Sequence, residues 1–164
     1  MRYILILFLL VTTSVFSQTQ FTQEALDDVF LTRDQKEIPF SEILKQYKGK
    51  TIFIDVWAGW CGDCRKGMPD VKKLQKKHKD VLFLFLSLDK TLQSWKQAIT
   101  ALNIKGEHYF IASGWKGAFC SSIQLDWIPR YMIVNPKGEI TLYKAVKADD
   151  EKITRLLREL KEAK

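Results

Sequence analysis

Thr51-Ile52-Phe53-Ile54-Asp55-Val56-Trp57, continued by Ala58-Gly59-Trp60-Cys61-Gly62-Asp63-Cys64, decides how this chain is read. The first seven residues are apolar on both alternating faces apart from Asp55, the pattern of a central strand buried under helices on each side. Two cysteines two residues apart then stand where such a strand gives way to a helix. After them Met68, Val71, Leu74 and Gln75 recur at helical spacing as far as His78, with Pro69 inside the run, where a kink is expected.

That junction has definite chemistry. At a helix start the backbone N–H groups are unsatisfied and the dipole favours negative charge, so a sulfur on Cys61 is held as a thiolate, its pKa falling from ~8.5 into the range ~3.5–7.5. Cys61 is therefore the expected attacking group. Cys64, one turn on, stays a shielded thiol until it resolves the mixed disulfide. Asp63 between them adds negative charge beside the thiolate and works against the depression. Asp55, six residues before Cys61, is costly in an apolar strand unless near-neutral or partnered. Desolvation raises its pKa, which suits a group taking the proton from Cys64 through a water. The alternative is a strand-end aspartate satisfied by backbone donors.

Outward from this segment, 21–50 is polar and weakly alternating, with a turn at Asp34-Gln35-Lys36-Glu37, and reads as an N-terminal hairpin with a short helix from Ser41 to about Tyr47. Val81 to Leu88 is a second buried strand, and Leu92 to Leu102 a helix behind Thr91 or Asp89 with Trp95 and Ile99 on its apolar face. From Asn103 to Trp127 the pattern is loop, with Gly114, Gly117 and Cys120, except for a short strand at His108 to Ile111. Tyr131 to Val134 and Ile140 to Tyr143 flank Asn135-Pro136-Lys137-Gly138 and read as a hairpin. Asp149-Asp150-Glu151 opens a last helix with Ile153, Leu156, Leu157 and Leu160 as its buried stripe. The fold class is α/β: a mixed central sheet with helices on both faces.

The chain has 164 residues and a net charge of +7, within the range of one domain. Tyr3 to Phe16 is apolar apart from two threonines and a serine and follows a single Arg2. It is too short to span a bilayer comfortably, so residues 1–17 read as a signal peptide cut after Ser17, with 18–164 as the domain; a retained anchor is the alternative. Export follows, to a periplasmic or other extracytoplasmic compartment, with no stable membrane insertion after cleavage. Lys72, Lys73, Lys76, Lys77 and Lys79 read as a solvated helix face, since no aromatic interleaving marks a nucleic-acid surface. Three cysteines are too few for a disulfide framework, so the close pair needs another explanation.

The run Ile54 to Arg65, with the buried aspartate and a proline five residues after the second cysteine, resembles the thioredoxin active-site segment. Arg65-Lys66-Gly67-Met68-Pro69, the leader, the N-terminal hairpin ending in Gly49-Lys50, and Ile128-Pro129 before a strand and Asn135-Pro136-Lys137-Gly138 resemble the exported TlpA/ResA-type branch, over nearly all of 21–164. The resemblance implies a thioredoxin-like fold with an N-terminal hairpin extension and a protein disulfide reductase without a cofactor. It implies a membrane thiol electron donor and exported protein substrates with thiols or disulfides, apocytochrome c among them. It further implies a cis bond before Pro129, seated against the disulfide, and an Ile128 backbone able to pair with an extended substrate. Trp57, Trp60 and Trp127 would wall the site, and only Trp60 is assigned to it here. Gly62-Asp63 replaces the Gly-Pro of thioredoxin, and Gly67 stands where the branch commonly has a glutamate.

Zinc held by Cys61 and Cys64 would need two further ligands from His78, His108 and Cys120, at spacings unlike a zinc finger or knuckle, so no metal is expected. Cys120 reads as a small buried hydrophobe, with a third redox thiol as the alternative. A peptide-binding module with a static disulfide is the rival from another class; an oxidase or isomerase is the rival within the same class.

Overall fold

A computed structural model describes residues 19–163. The expected signal peptide, 1–17, and its cut lie outside the described residues. The fold is a seven-stranded mixed sheet whose strands run, edge to edge, β2 (Glu37–Pro39), β1 (Val29–Leu31), β5 (Glu107–Ile111), β4 (Leu82–Ser87), β3 (Ile52–Trp57), β6 (Arg130–Val134) and β7 (Ile140–Ala145). Its centre is β3 (Ile52–Trp57), all six residues buried, which pairs in parallel with β4 (Leu82–Ser87) and antiparallel with β6 (Arg130–Val134). A strand hydrogen-bonded on both edges and covered on both faces carries no polar alternation, as the sequence of 52–57 requires.

Between β3 and β4 runs α3 (Gly62–Lys77), which Pro69 does not end, and between β4 and β5 (Glu107–Ile111) runs α4 (Leu92–Ala101). Two right-handed crossovers stepping the same way across a sheet place both helices on one face. Lys72 Nζ of α3 accordingly donates to Leu102 O just after α4, at 2.7 Å. Thr91 caps α4 with a full capping box shared with Ser94, which leaves Asp89 for another task.

The N-terminal hairpin is present as β1 (Val29–Leu31) and β2 (Glu37–Pro39), and β1 adds antiparallel to β5, extending the sheet. Before it stands a helix the sequence did not announce, α1 (Gln23–Asp27), capped by the Thr22 side chain. After it comes α2 (Phe40–Gln46). The stretch read as loop around Cys120 also differs: a 3-10 turn, Gly114–Lys116, leads into a short helix, α5 (Ala118–Ser122), which carries Cys120 into the core. Phe21, Phe30, Phe40 and Phe119 clamp α1, α2 and α5 together, with ring centroids 4.8 Å apart for Phe40–Phe119 and 4.9 Å for Phe21–Phe40. Edge-to-face pairs of this kind add to the burial of their large apolar area. The β6 to β7 (Ile140–Ala145) hairpin turns through Gly138 at φ 88, and α6 (Glu151–Glu162) closes the fold with Ile153 and Leu157 buried.

Candidate active site

Cys61 is the N-cap of α3, and its Sγ accepts a hydrogen bond from the Cys64 backbone N at 3.0 Å. Cys61 and Cys64 are disulfide-bonded across a Cα separation of 5.3 Å, within the range natural disulfides span. The same Cys64 N–H, with the dipole of α3 behind it, would stabilise an anion there once the bond is reduced. Cys61 borders an open cavity of about 450 Å³ with Trp60, Trp115, Asp126, Trp127 and Ile128, whereas Cys64, beneath it, is 1% exposed and does not line that cavity.

The turn that delivers Cys61 is built by a residue that sequence patterning reads only as a candidate cap. Asp89, after β4, accepts from the Gly59 backbone N at 3.1 and 3.0 Å and from Ser87 Oγ at 2.9 Å. Gly59 is needed there, because a Cβ would stand 2.4 Å from that of Ala98 and 3.2 Å from the Asp89 carboxylate. Cys61 N then closes the turn onto Ala58 O at 3.1 Å. The indole N–H of Trp60 donates to Leu88 O, holding its half-exposed ring at the cavity mouth.

Across the cavity Ile128 O lies 3.6 Å from Cys61 Sγ, and the Ile128–Pro129 peptide is cis. Asp126 braces this loop: its carboxylate receives the fully buried Arg130 guanidinium and, at 2.6 Å, Lys144 Nζ. Arg130 also donates to Ile123 O at 3.0 Å. Trp57, named with the wall residues, is completely buried in the core, while Trp127, read as more often core, is 57% exposed and lines the cavity. Nothing in the sequence pattern singles out Trp115. It arrives on the 3-10 turn, 54 positions from Cys61, and only the packing of α5 brings the two together.

Asp55 is 1% exposed, and its Oδ1 has no hydrogen-bond partner, so the reading of a strand aspartate satisfied by backbone donors fails at that oxygen. Burial holds its carboxyl well above the usual carboxylate range. Its neighbours across the sheet are Phe85 and Tyr131. The Tyr131 hydroxyl lies 2.7 Å from where a Cβ on Gly67 would be, so the position that could have held an acid on α3 is filled by a phenol from β6.

The remaining candidates lie elsewhere. His78 caps the C-terminal end of α3, His108 is in β5 and Cys120 is in α5, none of them lining the cavity beside Cys61. Burial pushes the Cys120 thiol up to about 12, the behaviour of an inert core sulfur. No helix among the described residues is long and apolar enough to cross a membrane.

Residues 20–159 match the family described as Redoxin. The chloroplastic thioredoxin-like protein HCF164 of Arabidopsis thaliana is 34% identical over 74 residues, covering 44% of this chain and 27% of that protein. The thiol-disulfide oxidoreductase ResA of Bacillus cereus is 26% identical over 99 residues, covering 59% of this chain and 56% of that protein. The chain thus spans from about a quarter to just over half the length of these curated relatives. A crystal structure from Bacteroides vulgatus, of a protein assigned to the thiol-disulfide oxidoreductases, superposes with a TM-score of 0.69 at 28% identity over 88% of this chain and 99% of that one.

Proposed function

The chain belongs to the Redoxin family, and from that premise we propose that it is an exported thiol-disulfide oxidoreductase working as a protein disulfide reductase. The observation that carries the reading is the placement of Cys61 Sγ on the Cys64 N–H in the first turn of α3, beside an open cavity, with the unpartnered Oδ1 of Asp55 buried in the strand that leads to it.

In the reduced protein the Cys61 thiolate attacks one sulfur of a substrate disulfide. A Cys61–substrate bond forms and the other substrate sulfur leaves as a thiolate. Cys64 then loses its proton to the Asp55 carboxylate and attacks Cys61 Sγ. The mixed disulfide breaks, the internal disulfide forms, and the second substrate sulfur leaves. Two electrons have passed to the substrate. A thiol carrier in the membrane returns them. Trp60, Trp115, Trp127 and the Ile128 backbone form the wall against which an extended client lies, and the apolar run 3–16 supplies the address for export.

Insulin reduction by dithiothreitol tests the activity. The wild type accelerates it and Cys61→Ser does not; equal rates for the two would leave a binding module with a static disulfide. Equilibration with glutathione tests the direction, since a potential at the strongly oxidising end would make the protein an oxidase.

A further inference from the structure

The strand directions give the molecule two poles. β3, β4 and β5 start at the same end, the antiparallel β6 finishes there and β7 starts there. Cys61 follows the carboxyl end of β3, so the disulfide occupies the other pole, a strand of six residues or about 20 Å away. The helix α3 begins at the disulfide and ends at the far pole, delivering Lys76 and Lys79 there.

Two observations at that far pole are independent of the redox site. The first is a groove of about 620 Å³ between the end of α3, the start of β4 and the turn after α4. Lys72, Lys76, Lys79 and Lys105 form its rim, and Val81 and Phe83 are part of its floor. Lys137 stands on the β6–β7 turn at the same end. Asp80, Glu107 and Glu139 share this end, as do Glu159 and Glu162 with Lys161 at the close of α6, and lysine remains in excess. The second is the path of the chain. Ile140 N, at the start of β7, donates to Thr19 O at 2.7 Å. The apolar run 3–16 therefore joins the domain at this pole. Ser17 and Gln18 alone separate Phe16 from Thr19, a reach over three chain steps of at most about 11 Å. Any bilayer that holds the run therefore meets the domain at the pole that carries the lysines.

We propose that the lysine-rimmed pole is a docking surface for an anionic phospholipid bilayer, which sets the protein on the membrane with its disulfide facing away. Lysines near a negative lipid surface each strengthen binding, in a manner that salt weakens. The apolar floor of the groove gives the glycerol backbone of a lipid a dry seat beneath a phosphate held on the rim. The proposal rests on charge and, for the chain that keeps its apolar run, on chain path, and it stands whether or not the cysteines are catalytic.

The test uses the full chain and vesicles of phosphatidylcholine with and without phosphatidylglycerol, read by co-sedimentation. The apolar run and Arg2 contribute equally to every variant, so the comparison isolates the pole. Replacing Lys76, Lys79, Lys105 and Lys137 together with glutamine should weaken binding to the anionic vesicles by at least about tenfold and leave binding to neutral vesicles unchanged. The same change at Lys66, Lys90, Lys116 and Lys147, on the disulfide pole, should do neither, and all these side chains are exposed, so the fold, checked by circular dichroism, is retained. Equal losses from the two quartets would overturn the proposal. So would inorganic phosphate displacing the protein more than chloride of matched ionic strength, which would mark a site for a free anion.

Discussion

Asp55 is where stability and chemistry pull against each other. Its carboxyl is held above the ordinary value by burial alone, so the native state keeps a proton that the unfolded chain releases. The linkage sign follows: above the ordinary carboxylate value of 3.8 the native protein binds more protons than the unfolded one, and stability falls as pH rises toward the native pKa. Asp55→Asn removes that slope. By removing the ionisation that favours the unfolded chain, it should raise the stability of the oxidised protein at pH 7 and above, read in urea unfolding. The same variant should slow the resolving step about a hundredfold, seen as a mixed disulfide that accumulates during turnover. A variant that resolves at the wild-type rate would remove Asp55 from the mechanism, and one that is no more stable at neutral pH would overturn the raised carboxyl. Gly67 shows the converse case, a residue whose meaning is set by its neighbour: the Tyr131 hydroxyl takes the room a side chain there would need.

At the scale of elements, the short helix α5 and the 3-10 turn before it serve to bring Trp115 to the cavity, where it faces Trp60 and Trp127 beside Cys61. Three indoles around one sulfur serve an extended apolar chain and offer little to a small disulfide. Trp115→Ala should therefore raise KM for insulin by about tenfold while the rate with oxidised glutathione stays within about twofold, a contrast of the size expected from losing one buried aromatic contact. Equal effects on both substrates would mean that the ring only props the turn. This element also marks the limit of what the sequence discloses. β3, β4, α3, α4 and the β6–β7 hairpin are legible because each is long enough to complete its periodicity or ends in a diagnostic turn, and Cys61, Cys64 and Asp55 all lie in one such stretch. In contrast, α1 and α5 are five residues each, little more than a turn, with no full period to read. The same gap hid the neighbours of Cys61 that come from afar: Trp115, Trp127 and the Asp126–Arg130 brace are joined to it only by the packing of the Phe21, Phe30, Phe40 and Phe119 cluster and by the seating of β6. Asp89 was visible as a helix cap, but its bonds to Gly59 depend on how β4 lies beside β3.

For the molecule as a whole, two buried ionisable groups on the strands that flank β4 give stability opposite slopes with pH. His108 in β5 stacks on Phe85 with centroids 5.0 Å apart, and its Nε2 lies 3.2 Å from Ile104 O, the geometry of a ring donating to a carbonyl while its Nδ1 stays buried and unpartnered. Burial brings it down to about 4 from 6.5. Between those values the unfolded chain binds a proton that the native protein refuses, so stability is fully present above pH 6.5, is lost as pH falls toward 4, and levels off below that. A shift of this size corresponds to roughly 3 kcal/mol across the window. His78, buried at the end of α3 beside Lys77, is shifted in the same direction and adds to the same limb. Asp55 works the other way, lowering stability as pH climbs from 3.8, so the pH of greatest stability is set by the balance of the three groups. His108→Gln, which retains an N–H for Ile104 O, should flatten most of the rise between pH 4 and 6.5 in a series of urea midpoints. His108→Gln combined with His78→Gln should flatten the rest. An acid limb unchanged in the double variant would place the pH dependence in the surface carboxylates and take the buried imidazoles out of the stability of the fold.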